Sequence, residues 1–549
     1  MTGIAAVNTS TEADASLRRH AFILTAFDPA AEPRVTRLSE SLESAGFDVC
    51  QIGVYAWHVI AEGPSIEQLS DRRSRVRVER TLHDFDMGPV MTATGLDSGW
   101  NLAPLLYLDF IRRQDASQIR YVAGGDIDVE QAERFQSLCS YVFDSNMALL
   151  QAARLCGSPD LIIACDFEAL PAGIVAGREL GCRVIYDASQ LWSSSAPGLT
   201  DWERKFWFAV EKLYAQMADH RFAVSDHRAR ALGQRLCVPF DSAPNAVSLS
   251  ERRVDPEKPY ARMHHDKVVF VFQGEFAETS GLQQLVAAWP QTDPSCVLYL
   301  RGADTPFKNT IVELAEATGL LNRRIYFPRA VAERDRVRGC VMLDVGLIPD
   351  QPGDASSRYC CPSSLSQYMA AGRPVIANKL DFVSRVIASA ECGQSVDFGD
   401  LPQLLQVIKR FADDKHLRAD FGRNARSYFE RTFNWENQSA ALSGTIRDIA
   451  AEATRKARGL DFGWIGNQSI MRRRALHTRP AVVADIPLIQ SRIYAEYENR
   501  LTELRATLDE REQLLATFKT VGGLTRHGLH FLRNRFVRWR NKNNEAEKA

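Results

Sequence analysis

Short apolar runs alternate with helix-period segments from about residue 20 to 450, the pattern of parallel-sheet α/β domains. HAFILTAF predicts a buried strand, Val35 to Ala45 a helix with Gly46 as its stop, and DVCQIGVY the next strand. Residues 56–100, with the charged run DRRSRVRVER and Gly/Asp-rich turns, give no clean assignment. Order returns at Pro159. LIIACD reads as a strand, LPAGIVAGREL as a helix whose small residues allow close packing, Gly181 as its stop, and RVIYDAS as a further strand. A long amphipathic helix, Asp201 to Ala218, precedes the strand RFAVS, and Cys237 to Ala243 reads as a short extended piece ending at Pro244-Asn245.

A second α/β unit begins at KVVFVFQGE and runs through CVLYLRG, RIYFPRAV and MLDVGLIP. In PSSLSQYMAAGRPVIAN, Ser363 or Ser364 is placed to cap a helix from about Leu365 to Ala371, Gly372 ends it, and PVIAN follows as a strand. Helices over Leu401 to Ala412, His416 to Thr432 and Trp435 to Ala450 close this half. The expected organisation is therefore a polar, disordered tail (1–19), a first lobe (20–244), a second lobe with closing helices (245–450), a linker (451–487) and a helical tail (488–549). Paired α/β halves of this size suggest a ligand cleft between two lobes.

Composition narrows the classes. The chain of 549 residues is 45% hydrophobic and 25% charged, as in ordinary globular proteins with a sizeable core. Lys and Arg number 67 against 68 Asp and Glu, a formal net charge of -1 that argues against a dedicated nucleic-acid binder. No apolar run approaches the ~18–20 residues of a membrane-spanning helix, and the N-terminus lacks a signal-peptide pattern. Eleven scattered cysteines without C-x-x-C pairs read as reduced thiols in a cytoplasmic protein, and His264-His265 lies in a charged connection without metal spacing.

In the tail, Tyr497, Leu504, Arg511 and Phe518 lie seven apart with Ile493, Leu508 and Leu515 between, which fits a weak coiled coil or a docked helix. That stretch, 488–520, is the expected contact for a second copy or a partner protein. LTRHGLHFLRNRFVRWRNKNN carries Leu529, Leu532, Phe536 and Trp539 on one face among six basic residues. Such a helix over 524–542 reads either as a binder of anionic membrane, at roughly 1 kcal/mol per cation, or as a helix packed on protein.

Several ordered stretches resemble the retaining, nucleotide-sugar-dependent glycosyltransferases of the GT-B fold, family 4-like. FDPAAEPRVTRLSESLESAGFDV is similar to the opening strand, loop and helix, and PDLIIACDFEALPAGIVAGRELGCRVIYDASQLW to the middle of the acceptor lobe. APNAV matches the entry to the donor lobe, PSSLSQYMAAGRPVIAN its donor-site helix and strand, and FGRNARSYFERTFNWENQ the closing helices. The resemblance implies two Rossmann-like lobes facing a cleft, with a helical tail. It implies transfer of a hexose from a nucleotide-diphosphate sugar to a glycan or lipid-linked acceptor, in cell-envelope or exported polysaccharide synthesis. The sugar nucleotide would be a co-substrate; no metal or other cofactor is expected. The protein would be cytoplasmic, peripheral at the inner face of the membrane.

Carried over residue by residue, the resemblance falls on altered positions. The usual donor-lobe Arg and Lys fall on Glu275 and Ser280, the two spaced carboxylates on Tyr359 and Gln367, and a frequent Lys on Ser364. In the first lobe Cys165, Ser189 and Gln190 stand at common His, His and Glu positions. An anion at 275 beside a diphosphate costs about 4 kcal/mol per charge pair at ~4 Å and an effective dielectric near 20. That motivates a second reading, a catalytically silent protein that binds glycan or scaffolds a partner glycosyltransferase. The expected donor residues are Gly274, Arg301, Lys308, Arg329, Arg358, Tyr359, Ser363, Ser364 and Gln367. The expected acceptor residues are Asp28, Asp166, Ser189, Gln190 and Trp192, with Asp166 and Gln367 as catalytic candidates. Asp166 and Asp187 read equally as helix caps, Arg301 as a solvated loop charge, and Tyr359 as core.

Overall fold

The computed structural model describes residues 19–56, 66–80, 103–122, 127–191, 200–252, 264, 266–331, 335–353 and 355–451. The N-terminal tail, the linker and the helical tail lie outside these residues apart from the boundary residues Arg19 and Ala451, as do Trp192 and the coiled-coil and membrane expectations.

Two mainly parallel sheets carry the fold. The first has the order β3-β4-β2-β1-β5-β6-β7-β8. Its strands are β1 (Arg19–Thr25), β2 (Phe47–Ala56), β3 (Ile66–Gln68), β4 (Arg73–Arg80), β5 (Leu161–Cys165), β6 (Arg183–Ala188), β7 (His220–Ala223) and β8 (Asp241–Ser242). Only the β3/β4 pair is antiparallel. The second sheet has the order β11-β10-β9-β12-β13-β14, parallel throughout. It comprises β9 (Val268–Gln273), β10 (Cys296–Arg301), β11 (Ile325–Tyr326), β12 (Val345–Ile348), β13 (Val375–Ala377) and β14 (Gly393–Ser395).

Continuous apolar sequence makes the central strands. Ala21 to Leu24 and Leu161 to Ala164 are buried on both sheet faces, as strands covered by helices on each side must be. The helix Leu170–Leu180 lies close on β5 and β6 because Gly173 and Gly177 face them. A Cβ at Gly177 would stand 2.2 Å from Val184 Cγ2. Gly181 ends this helix at φ 74, in the left-handed region that glycine adopts freely.

Three expectations need correction. Cys237 to Ala243 yields only the two-residue strand β8, with the helix Asp226–Leu236 before it. The closing helix from Trp435 is broken at Ser439 into Trp435–Gln438 and Ala440–Ala451. The unassigned middle of the first half holds the longest helix among the described residues, Val129–Cys156, started by a capping box between Asp128 and Gln131. Every residue from Tyr141 to Leu150 is buried, polar ones included, so no one-sided stripe marks the helix in the sequence.

The chain finally returns to the first lobe. Trp435, Leu442 and Ile446 join Val35, Leu38 and Leu42 in one core cluster. Trp435 donates its ring N–H to Ser41 Oγ at 2.7 Å, and the guanidinium groups of Arg34 and Arg37 lie 5.6 and 5.8 Å from its ring centroid. Arg34 also grips Asp187 at the end of β6 through two bonds of 2.7 Å and donates to the Ala243 carbonyl at 2.9 Å. Burial works against the charged guanidinium, but Asp187 prevails and raises its pKa. The Asp187 cap alternative gives way to this ion pair. Because both partners are buried, Asp187→Ala leaves an unpaired charge. A loss of about 3–5 kcal/mol is expected in urea unfolding, and a smaller one when Arg34→Met is combined with it.

Candidate functional site

In parallel sheets, ligands lie beyond the carboxyl ends of strands where the strand order reverses. In the first sheet this point falls between β1 and β5, so the loops after Thr25 and Cys165 flank it. Asp28 sits in the first loop. Its carboxylate pairs with Arg77 Nε at 3.0 and 3.1 Å and takes the Ala30 amide at 2.9 Å, so its charge is already answered within the lobe. Asp166 sits in the second. Its backbone has φ 61 and ψ 168, a conformation costing a non-glycine residue on the order of 1–3 kcal/mol. Ser189 holds its carboxylate, donating its N–H at 2.8 Å and its hydroxyl at 2.7 and 2.6 Å. No side-chain cap bond is made by Asp166, which removes the helix-cap alternative. Gln190 follows, half-buried, at the same edge.

The switch point of the second sheet lies between β9 and β12. Gln273-Gly274-Glu275 leaves one strand and Pro349-Asp350 the other. The two loops interlock: Gln351 donates to the Thr279 carbonyl at 2.9 Å, and a Cβ on Gly281 would stand 2.1 Å from Pro349 O. Gly281 also has φ 66, so the approach is open to glycine alone. Burial, with the Glu275 charge added, pushes the Asp350 carboxyl up to about 6. Glu275 itself is exposed. Ser280 turns inward and gives its hydroxyl to the Ala277 carbonyl. Carboxylates, not cations, thus line the crevice where the resemblance places a diphosphate.

The cation lies behind it. Arg301, at the end of β10, is 8% exposed, so it is no solvated loop charge. Its Nη1 donates to Gln273 Oε1 at 3.0 Å, while its Nε has no partner, and no carboxylate pairs with it among the described residues. Gln273 passes the polarity on, donating to Gln367 Oε1 at 2.7 Å, and Gln367 donates to Ser363 Oγ at 3.4 Å. Gln367 is 1% exposed and engaged at both ends, so it supports the helix Ser363–Ala370 from within instead of presenting a reacting group. That helix is capped at Pro362 without a side-chain bond, correcting the expected Ser363 or Ser364 cap. Of its first-turn N–H groups, that of Leu365 donates to the Pro362 carbonyl at 3.1 Å, and none is taken by the cap side chain. Ser364 is buried beside them.

The other donor candidates scatter. Lys308 pairs with Asp304 one turn back and lies 5.6 Å from the Phe276 ring centroid. Arg329 is exposed. Arg358 is exposed and reaches Asp381 only at 4.0 Å. Gly274 donates to the Arg301 carbonyl at 3.1 Å. Tyr359 is half-buried; it stacks on His227 of the first lobe with centroids 6.1 Å apart and planes 18° from parallel.

Sequence reasoning missed the contact between lobes. Ser225 caps the helix Asp226–Leu236, accepting the Arg228 amide at 3.0 Å, and donates its hydroxyl to the Tyr359 carbonyl at 2.7 Å. Asp226 takes both ends of Arg385 at 2.5 Å; although burial pushes the other way, Arg385 holds its carboxyl below the usual range. Arg228 bonds the Ser189 carbonyl on one side and the Ser356 carbonyl and hydroxyl on the other. Ser225-Asp226, where RFAVS ends, signals a helix cap; partners in the other lobe left no local trace. Gln273, Asp350 and Ser356 were likewise overlooked.

Residues 256–428 match the family model described as glycosyl transferases group 1. The chain has the GT-B fold. This match bears out the resemblance to family 4-like glycosyltransferases carried by the sequence blocks. Sucrose-phosphate synthase from Thermosynechococcus elongatus superposes with a TM-score of 0.57 at 17% identity, covering 79% of this chain and 100% of that one. The Anabaena protein HepE in complex with UDP and glucose gives 0.53 at 13%, covering 78% and 100%. WaaG, a glycosyltransferase involved in lipopolysaccharide biosynthesis, gives 0.50 at 13%, covering 79% and 100%. No curated protein matches the chain in sequence. Among the described residues no helix is long and apolar enough to cross a membrane, and no group of three or more His, Cys, Asp or Glu is placed to hold a metal ion.

Two outcomes follow from the site's strain and charge. Glycine at 166 removes the strain that alanine keeps, so Asp166→Gly should unfold at higher urea than Asp166→Ala, by about 1–3 kcal/mol. For Asp350 the folded pKa exceeds the unfolded one. Its ionisation therefore costs stability increasingly as pH rises from about 4 through 6. Asp350→Asn should match the parent near pH 4 and exceed it by on the order of 1–3 kcal/mol above pH 7, read from melting against pH.

Proposed function

We propose that the protein transfers a hexose from a nucleotide-diphosphate sugar to a glycan or lipid-linked acceptor in assembly of cell-envelope or exported polysaccharide. It works in the cytoplasm, peripheral at the inner face of the membrane. One observation carries the reading: Arg301 is buried, has no carboxylate partner among the described residues, and connects through Gln273 and Gln367 to the first turn of the helix Ser363–Ala370. A buried cation without a counter-charge is unfavourable until an anion arrives. The helix N-terminus adds its dipole and the N–H groups of Ser363 and Ser364. The UDP held by the Anabaena relative supports a uridine nucleotide as the first donor to try.

In this arrangement charge growing on the leaving diphosphate is met by backbone N–H groups and by Arg301 at one remove, with no resident metal. Asp166, fixed by Ser189 at the facing edge, holds the acceptor or the transferred sugar. Retention at the anomeric carbon belongs to the same reading and rests on the resemblance. Gln367 acts here as a support of the donor helix.

Glu275 and Asp350 favour a second reading. Two carboxylates at the donor switch point oppose a diphosphate, which suits a silent GT-B protein that binds glycan or scaffolds an active partner. Calorimetry with UDP, GDP and ADP, followed by sugar-nucleotide turnover with and without glycan acceptors, separates the two. The transferase reading expects binding of one nucleotide and turnover of its sugar conjugate. Absence of nucleotide binding sinks it, and binding without turnover favours the silent protein. The double variant Glu275→Gln/Asp350→Asn should bind the nucleotide at least about tenfold more tightly if these carboxylates face the diphosphate.

A further inference from the structure

Arg228 belongs to neither face of the cleft as the sequence reading drew it, yet its bonds run to both. It lies in the first turn of the helix Asp226–Leu236 and is 4% exposed. One side of its guanidinium donates to the carbonyl of Ser189, the residue whose N–H and hydroxyl hold Asp166. The other side donates to the carbonyl of Ser356 and, at 3.3 Å, to its hydroxyl, in the second lobe three residues before Tyr359. A planar fork with donors on two edges can bridge two carbonyls at once, which a lysine ammonium on its flexible stem cannot reproduce.

We propose that Arg228 is a positioning residue that couples closure of the two lobes to the orientation of Asp166. With the lobes together, Ser356 anchors one end of the guanidinium and the other end fixes the Ser189 carbonyl. Ser189 is thereby rigid when it presents its N–H and hydroxyl to the Asp166 carboxylate. When the lobes part, the Ser356 contacts are lost, the guanidinium loses its anchor in the second lobe, and Ser189 can swing. Asp166 then loses the grip that holds its strained backbone, at φ 61, in place. The adjoining contacts of Ser225 and Asp226 align the lobes, but neither touches Ser189. Arg228 is the link through which the second lobe reaches the first lobe's carboxylate. The consequence for turnover rests on the transferase reading; the coupling itself does not.

Amide hydrogen exchange on the full chain, followed at peptides bearing Asp166 and Ser189, tests the coupling in a double-mutant cycle. Arg385→Gln loosens the lobes through Asp226 and should speed exchange at these peptides roughly two- to fivefold. Arg228→Gln should speed it roughly tenfold, and adding Arg385→Gln to it should change nothing further, because the link is already cut. Arg228→Lys keeps the charge and serves where the glutamine variant folds poorly; it should behave like Arg228→Gln. Full additivity of the two substitutions, or unchanged exchange in both Arg228 variants, overturns the proposal. With any sugar nucleotide the parent turns over, Arg228→Lys should lower kcat about 10- to 100-fold and leave donor KM within about threefold. A rise in KM with kcat unchanged would mark Arg228 as a donor contact and refute the positioning role. If the parent turns over no donor, the transferase reading fails while the exchange cycle still decides the coupling.

Discussion

Parallel strands end together, and that constraint arranges everything chemical in this protein. Each sheet delivers its loops to one edge, and the reversal of strand order opens a crevice there. Asp28 and Asp166 flank one crevice; Glu275 and Asp350 flank the other. Burial, with a smaller push from the Glu275 charge, raises the Asp350 carboxyl to about 6. The positive charge that would balance them is withheld one layer down, on Arg301, and reaches the edge only through the amides of Gln273 and Gln367. Whatever binds at this edge meets dipoles before it meets a cation.

The two halves are also tied by their ends. Trp435 and the helix Ala440–Ala451 cross back to fill the first lobe's core, so that lobe is not completed by a continuous stretch of sequence. Near the cleft the ties are polar instead: Ser225 to the Tyr359 carbonyl, Asp226 to Arg385, Arg228 to Ser356. The difference is physical. A dry apolar seam resists separation over its whole area, whereas a few exchangeable hydrogen bonds can be made and broken with water as the alternative partner. The arrangement suits a hinge that holds fast at the back and moves at the front.

Much of the fold was legible in the sequence because its signals were local. Apolar runs such as LIIAC and VVFVFQ and glycine stops at Gly46, Gly181 and Gly372 each need only a few neighbours to be read. The helix Val129–Cys156 was not legible, because burial on all sides replaces a 3.6-residue stripe with a mixture of Tyr, Asp, Ser, Asn and Leu. At the site, the sequence pointed to Asp166, Ser189, Arg301 and Gln367 as positions of interest. Their relations were hidden: Arg301 and Gln367 meet through Gln273, and Asp166 is held by a residue 23 positions away. Asp28 looked available because its partner Arg77 lies 49 positions away with no motif linking them; the Asp304–Lys308 pair, four apart, was there to be read.

The altered positions are better understood from what they replaced than from what they lack. A neutral Gln367 accepts from Gln273 and donates to Ser363, which fixes the direction of the whole relay and points its donors outward. A carboxylate at 367 would accept at both oxygens; it would bring a counter-charge toward Arg301 and end the relay before it reached the helix. Arg301 without a carboxylate and Gln367 without a charge are thus one solution: each makes the other tolerable, and together they leave an unmet demand for negative charge at the first turn. Glu275 and Asp350 supply negative charge at the neighbouring loops, where it limits how deeply an anion can settle. The site therefore discriminates by depth. Anionic oxygen is favoured over the helix start and opposed over the switch point.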